Sequence, residues 1–333
     1  MFESSLSPSS IPLTLISRRT LLQRALGMLS LATWPGIAGY AATENGRGIA
    51  VLYPDIGEPY RTVFTKIIEG VETQTKGKVA NYAIGTSFNP QELGADLKKQ
   101  EVKVVIALGR AGLKAASALD RDIRVVVGGV ISLPDVEPRT LAIYSLAPDP
   151  ALLFSRLKKF MPGMRRVFVV FDQKQNGWLI KLARDQAKPL GLELNALEAQ
   201  DIKGAVKLYQ DIFAQADPKT DSLWLLQDST TVDDSSVLPL VLQESWNRSL
   251  TFFSSNVGHV KRGALFSLYP NNLELGRNMA TAAISSLATA GGNGQLKVLP
   301  LKDVLLAVNV RTASHLSINL ENKQGFDMVF PEP

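Results

Sequence analysis

The chain has 333 residues, a length that suggests two domains, and its 45% hydrophobic and 20% charged residues exclude a disordered polymer. With no Cys and two His, disulfides, thiolate metal sites, Cys nucleophiles and His-rich metal centres are excluded, and a Ser-His-Asp triad would have only His259 or His315 to draw on. The net charge of +5 contains no block of five like charges, so no nucleic-acid partner is expected.

Residues 1–42 read as an export address. Ser17-Arg18-Arg19-Thr20-Leu21-Leu22-Gln23 precedes an apolar stretch from Ala25 to Trp34, and Gly39-Tyr40-Ala41-Ala42 supplies small residues of the kind a signal peptidase accepts. The paired arginines resemble a twin-arginine signal, with Gln23 where Lys often stands; a Sec signal fits the same residues. Cleavage near Ala41 or Ala42 implies a periplasmic product. The alternative is an uncleaved anchor, although roughly 18 residues interrupted by Pro35 and several Gly only just reach across ~30 Å of hydrocarbon.

Strands and helices then alternate. Gly48–Tyr53 reads as a strand, and Pro59–Thr75 as a helix with Val63, Phe64, Ile67, Ile68 and Val71 at helical spacing. Lys78–Ile84 is a second strand, and Asn89-Pro90 caps a second helix. Val102–Leu108 and Ile123–Val127 are strands flanking a helix over Arg110–Leu119. After Pro148-Asp149-Pro150 the rhythm restarts: helix Ala151–Phe160, strand Arg166–Phe171, helix Asn176–Leu190, strand Leu192–Leu197 and helix Lys203–Ala216. Strand Ser222–Leu226, helix Asp233–Trp246, strands Leu250–Ser254 and Gly263–Leu268, and helix Asn272–Leu287 follow. Gly291–Gly294 reads as a loop, Val304–Val310 as the last strand, and Phe326–Pro331 as a tail without an assigned role.

Continuous apolar strands separated by helices argue for parallel sheets covered on both faces. Two such runs predict an α/β chain of two doubly wound lobes joined by a hinge. The expected division is 43–145 plus 270–333 for lobe 1 and 146–269 for lobe 2. Ligands in such folds bind beyond the carboxyl ends of the strands.

Several stretches resemble a known family. They are Pro148 through Val167, Leu225-Leu226-Gln227-Asp228-Ser229-Thr230-Thr231-Val232, Gly263–Ser267 with Glu274-Leu275-Gly276-Arg277, and Val308-Asn309-Val310-Arg311-Thr312-Ala313. Their order and spacing are similar to those of ABC transporter substrate-binding proteins, periplasmic-binding-protein-like chains of type I fold, some of which bind aromatic amino acids. The chain departs from that pattern at Gly109-Arg110-Ala111-Gly112, where relatives often carry a small or hydroxyl residue and Pro.

Candidate ligand-binding residues are those in the loops after strands. Tyr53, Gly57 and Glu58 lead into a helix N-terminus whose free N–H groups can hold an anion, with Tyr53 either covering the ligand or packed as core. Gly109 allows close backbone approach, and Arg110 either grips a carboxylate or is a solvated first-turn residue. Gly129 and Ile131 follow the fourth strand. Asn176 either caps a helix or turns its amide to the cleft, and Trp178 offers a flat face or packs. Asp228 with Ser229 and Thr230 either receives an ammonium group or closes a helix-approach turn. Asn256 completes the set. As a surface-lining carboxylate, Asp228 is expected to tolerate Asp228→Ala within about 1 kcal/mol while losing its ligand.

The resulting expectation is a monomeric, non-enzymatic solute-binding protein with no cofactor and no metal. It would close on an amino-acid-like or small organic ligand and deliver it to a membrane ABC permease. A sensory module for a membrane receptor kinase or cyclase uses the same closure. An exported α/β enzyme is the third reading; no G-x-S-x-G, H-E-x-x-H or phosphate-loop pattern supports it.

Overall fold

The computed structural model describes residues 46–131, 140–288, 296–320 and 325–331. The expected export segment and the Gly291–Gly294 loop lie outside them. The first half runs β1 (Ile49–Pro54), α1 (Tyr60–Thr75), β2 (Ala80–Ile84), α2 (Pro90–Lys99), β3 (Val104–Leu108), α3 (Gly109–Ser117), β4 (Arg124–Val130) and β5 (Thr140–Pro148). Next come α4 (Pro150–Phe160), β6 (Arg166–Phe171), α5 (Gln173–Ala187), β7 (Glu193–Glu198), α6 (Ile202–Gln215), β8 (Asp221–Leu225) and α7 (Val237–Arg248). The chain continues through β9 (Thr251–Ser254), α8 (Val257–Arg262), β10 (Phe266–Pro270), α9 (Asn272–Ala288), β11 (Lys297–Leu301), β12 (Val304–Asn309), α10 (Val310–His315) and β13 (Met328–Phe330).

Two sheets result. The first has the order β11-β5-β4-β3-β1-β2 and every pair is parallel. The second has the order β13-β12-β10-β9-β8-β6-β7, parallel except where β12 runs antiparallel to β10. Both faces of each sheet are covered, which is why the strands lack polar alternation. In β3, Val105 and Ala107 enter one apolar cluster while Val104, Ile106 and Leu108 enter another. In β6, Val167, Val169 and Phe171 pack on one side and Phe168 and Val170 on the other.

Local rules explain many helix starts. Asn89 accepts from Gln91 N at 3.0 Å with Pro90 at the first helical position, and Asp149 accepts from Ala151 N at 3.0 Å ahead of Pro150. Asp233 gathers the N–H groups of Ser235, Ser236 and Val237 before α7. The Ser236 hydroxyl bond, and then those backbone bonds, hold the Asp233 carboxyl at about 2, against partial desolvation. A depressed carboxyl contributes stability above its unfolded value of about 4 and loses it as pH falls toward the folded value. Asp233→Ala is therefore expected to cost about 1 kcal/mol at pH 7. Urea denaturation between pH 5 and pH 2 should fall less steeply for the variant; parallel curves would refute this.

Three features differ from the sequence expectation. Strands β5 and β11 were not foreseen, and both lie in the first sheet at its β4 edge. The C-terminal stretch was expected in lobe 1, but only α9 and β11 pack there. After Leu301 the chain crosses again, and β12 pairs with β10 while Leu306 and Val308 fill the same cluster as Phe266 and Leu268. The unassigned tail becomes β13, whose Met328, Val329 and Phe330 pair with Ala307, Val308 and Asn309. It thereby covers what would otherwise be an open sheet edge.

Candidate ligand cleft

Topology sets the candidate loops at the carboxyl edges of the two sheets. In the first sheet, β5 and β11 run parallel to their neighbours and leave at their carboxyl ends for the second lobe, through Asp149 and Lys302-Asp303. In the second, β10 is parallel to β9 and leaves at its carboxyl end for α9, while antiparallel β12 begins at that end. The carboxyl edges of the two sheets therefore face each other across three crossovers. These are tied together: Asp149 N donates to Leu301 O at 2.8 Å and Asn271 N donates to Asp303 O at 3.0 Å. The Asn278 amide also donates to the Asp303 carboxylate.

On the first-lobe edge, the loops after β1, β3 and β4 converge. A Cβ at Gly109 would stand 3.4 Å from the Pro54 ring, and one at Gly129 would stand 3.4 Å from Gly109 N. Both glycines have positive φ, +62° and +70°, so this close approach uses the conformational freedom a side chain would remove. Arg110 is exposed and has no ion pair among the described residues. Ile131 is half-buried, its carbonyl accepting from Ser145 Oγ at 3.2 Å. Tyr53 is half-buried and its ring lies 6.3 Å from that of Phe64, so it belongs partly to the core.

The helix N-terminus after Gly57 is not empty. Glu58 accepts from Thr62 N at 3.2 Å and from Thr62 Oγ1 at 2.7 Å, and Gly57 O accepts from Arg61 N. The chain thus supplies its own carboxylate where a ligand anion was expected. Sequence reasoning passed over an apolar strip on this rim: Ile56, Tyr60 and Val63 are exposed, Tyr60 by 63%. Its signal was present, since Ile56 stands in a loop and Tyr60 opens a helix otherwise facing inward.

The second-lobe edge is built around Asp228, which is only 3% exposed. One carboxylate oxygen accepts from Asp172 N at 2.9 Å and from the Asn176 amide at 2.8 Å, and the other accepts from Thr230 N at 2.9 Å. Gln175 donates its amide to Thr230 Oγ1. The expected surface-lining role is thus corrected: the carboxylate braces the β6–α5 loop against the β8–α7 loop. Burial, with the Asp228 charge adding to it, pushes the enclosed Tyr209 phenol upward.

Asn176 is likewise not a cap. Asp172 caps α5, accepting from Lys174 N at 2.6 Å, and Asn176 lies buried one turn inside. Trp178 packs half-buried against the lobe core and its indole N–H finds no partner among the described residues. Ser229 is exposed and Thr230 half-exposed beside the brace. Asn256 caps α8, accepting from Gly258 N at 2.9 Å. His259 is buried on α8, with Nδ1 2.8 Å from Ser254 Oγ. Burial lowers its pKa, Asp234 opposes that and Arg262 adds to it, so neutrality is favoured.

No curated protein matches this sequence. Solved structures do match its fold. A ligand-free, open substrate binding protein with adhesive properties from Clostridium difficile is 14% identical over 84% of this chain and 98% of its own, with a TM-score of 0.60. An ABC domain from Streptococcus pneumonia in complex with L-Trp is 14% identical over 85% and 99%, with a TM-score of 0.52. A conserved domain protein from Vibrio cholerae is 16% identical over 84% and 98%, also at 0.52. At such identities these likenesses concern the fold, which is periplasmic-binding-protein-like. Residues 154–324 match the model of the family described as ABC transporter substrate binding protein. That match runs from α4 across the second lobe, the return helix and the third crossover, and by it the chain belongs to the ABC transporter substrate binding protein family.

Proposed function

We propose that this protein is exported, captures an amino-acid-like or small organic ligand between its two lobes, and presents it to a membrane ABC permease. The observation that carries this reading is the opposition of two strand-end edges across three mutually hydrogen-bonded crossovers. Narrow connections of this kind let two packed bodies rotate without unpacking either. The first-lobe contacts are Tyr53, Gly57, Glu58, Gly109, Arg110, Gly129 and Ile131. Those of the second lobe are Ser229 and Thr230 beside the Asn176–Asp228 brace, with Trp178 on α5 and Asn256 at the start of α8.

Arg110 gives the ligand its polarity. An exposed guanidinium with no ion pair among the described residues, beside two glycines that leave backbone bare, suits a carboxylate. The rim strip of Ile56, Tyr60 and Val63 suits an apolar body beside it. Among the described residues no helix is long and apolar enough to cross a membrane, so attachment would depend on the N-terminal segment.

A thermal-shift screen of amino acids, short peptides and organic anions tests the reading. A ligand held at about 100 times its Kd stabilises the folded form by about 2.7 kcal/mol. Arg110→Ala should remove most of the shift produced by carboxylate ligands while leaving the ligand-free midpoint in place. A ligand recovered chemically altered after incubation would replace binding with catalysis as the function.

A further inference from the structure

A second cavity lies at the opposite end of the second lobe from the crossovers. It sits where Leu250 leads into β9, where Gly263 precedes β10, and where antiparallel β12 ends at Asn309. Its volume is about 530 Å³, within the range of small-molecule sites. We propose that it binds a small apolar monocarboxylate, independently of the interlobe cleft.

Four observations lead there. Leu242, Leu250, Phe252 and Leu316 give the cavity an apolar body. Gly263 keeps it open: at φ +141°, a Cβ there would stand 2.8 Å from Leu242 Cδ2. The charge is one-sided, because the lining contains Arg262 and Arg311 and, among the described residues, no carboxylate. Arg262 is already paired with Asp234 at 3.3 Å, whereas Arg311 has no carboxylate partner among the described residues. Arg311 lies 5.5 Å from the centroid of Trp246, which is 42% exposed and stacks on His315 at 3.8 Å. His315 Nε2 is in turn 2.9 Å from Trp246 O, so the aromatic wall is fixed in place.

The fourth observation is an unmet hydrogen bond. Ser245 lines the same cavity, is 3% exposed, and its hydroxyl has no partner among the described residues. Buried polar atoms without partners are uncommon in folded proteins, and a ligand acceptor would supply what is missing. A carboxylate is the group that satisfies both a guanidinium and a hydroxyl donor, and the apolar walls require the remainder to be hydrocarbon.

The test uses 1-naphthoate and its neutral analogue 1-naphthalenemethanol, titrated calorimetrically into the protein. In the Arg110→Ala protein, whose cleft lacks its carboxylate partner, one saturable site for naphthoate is expected, weakened about tenfold or more by adding Arg311→Gln, the size of a lost charge-assisted bond. Naphthalenemethanol should bind both proteins alike. Ser245→Ala should also weaken naphthoate while leaving the ligand-free melting point equal or higher, since it deletes an unsatisfied group. Arg110→Ala should remove at most a second naphthoate bound in the cleft, which separates this site from the cleft. Absence of saturable naphthoate binding up to millimolar concentration overturns the proposal. So does naphthoate binding that Arg311→Gln leaves unchanged, or that Arg110→Ala abolishes.

Discussion

Gly276→Ala is expected to destabilise the protein by about 3 kcal/mol or more, the upper range for overpacking a close contact. Helices α1 and α9 cross backbone to backbone. A Cβ on Gly276 would lie 2.0 Å from Ile67 O and 3.0 Å from Val71 N. Gly70 on the facing helix would put its own 2.0 Å from Leu273 O. No side-chain rotation relieves a clash with a carbonyl, so the helices must separate and uncover Ile67, Val71, Leu275 and Met279. Intrinsic propensity acts in the other direction, since Ala is favoured over Gly in a helix by about 1 kcal/mol. Gly57→Ala is the control, with open space around it and an effect expected within about 0.5 kcal/mol. Urea midpoints of the three proteins decide it. A Gly276→Ala chain as stable as the wild type would mean that α1 and α9 part at little cost.

Asp228→Ala is expected to cost about 2–4 kcal/mol, because it strips acceptors from Asp172 N, the Asn176 amide and Thr230 N in a buried place. This replaces the expectation of a near-neutral change that the sequence alone supports. Asp228→Asn keeps the volume but loses the charge and turns one acceptor into a donor, so an intermediate loss is expected. Denaturation of the ligand-free proteins separates the two roles. If stability stays within about 1 kcal/mol while ligand-induced stabilisation disappears, Asp228 contacts the ligand and the brace is dispensable.

Candidate-site residues divide by the kind of signal they carried. Gly109 and Gly129 were legible because only a strand-end loop of special geometry calls for glycine there, and both adopt positive φ. The exposure of Arg110 was legible because a cation in the first turn after a buried strand remains at the edge, under either alternative for its role. The cap alternative for Asn176 fails because α5 starts three residues earlier than its apolar pattern indicates, under the Asp172 cap, while Trp178 takes the packing alternative at least in part. The apolar rim of Ile56, Tyr60 and Val63 escaped notice because an amphipathic helix pattern reads every apolar position as inward.

Periodicity, chain punctuation and capping residues determined the alternating α/β order, the double sheets and the break at Pro148-Asp149-Pro150. These depend on interactions a few residues long. Only the tertiary structure decided that β12 and β13 join the second sheet, because a strand of three to six residues has no preferred partner until the other edges are occupied. It also decided that Asp228 turns inward: a carboxylate at a strand end can serve a ligand or its neighbours, and the choice rests on a loop 56 residues away in the chain.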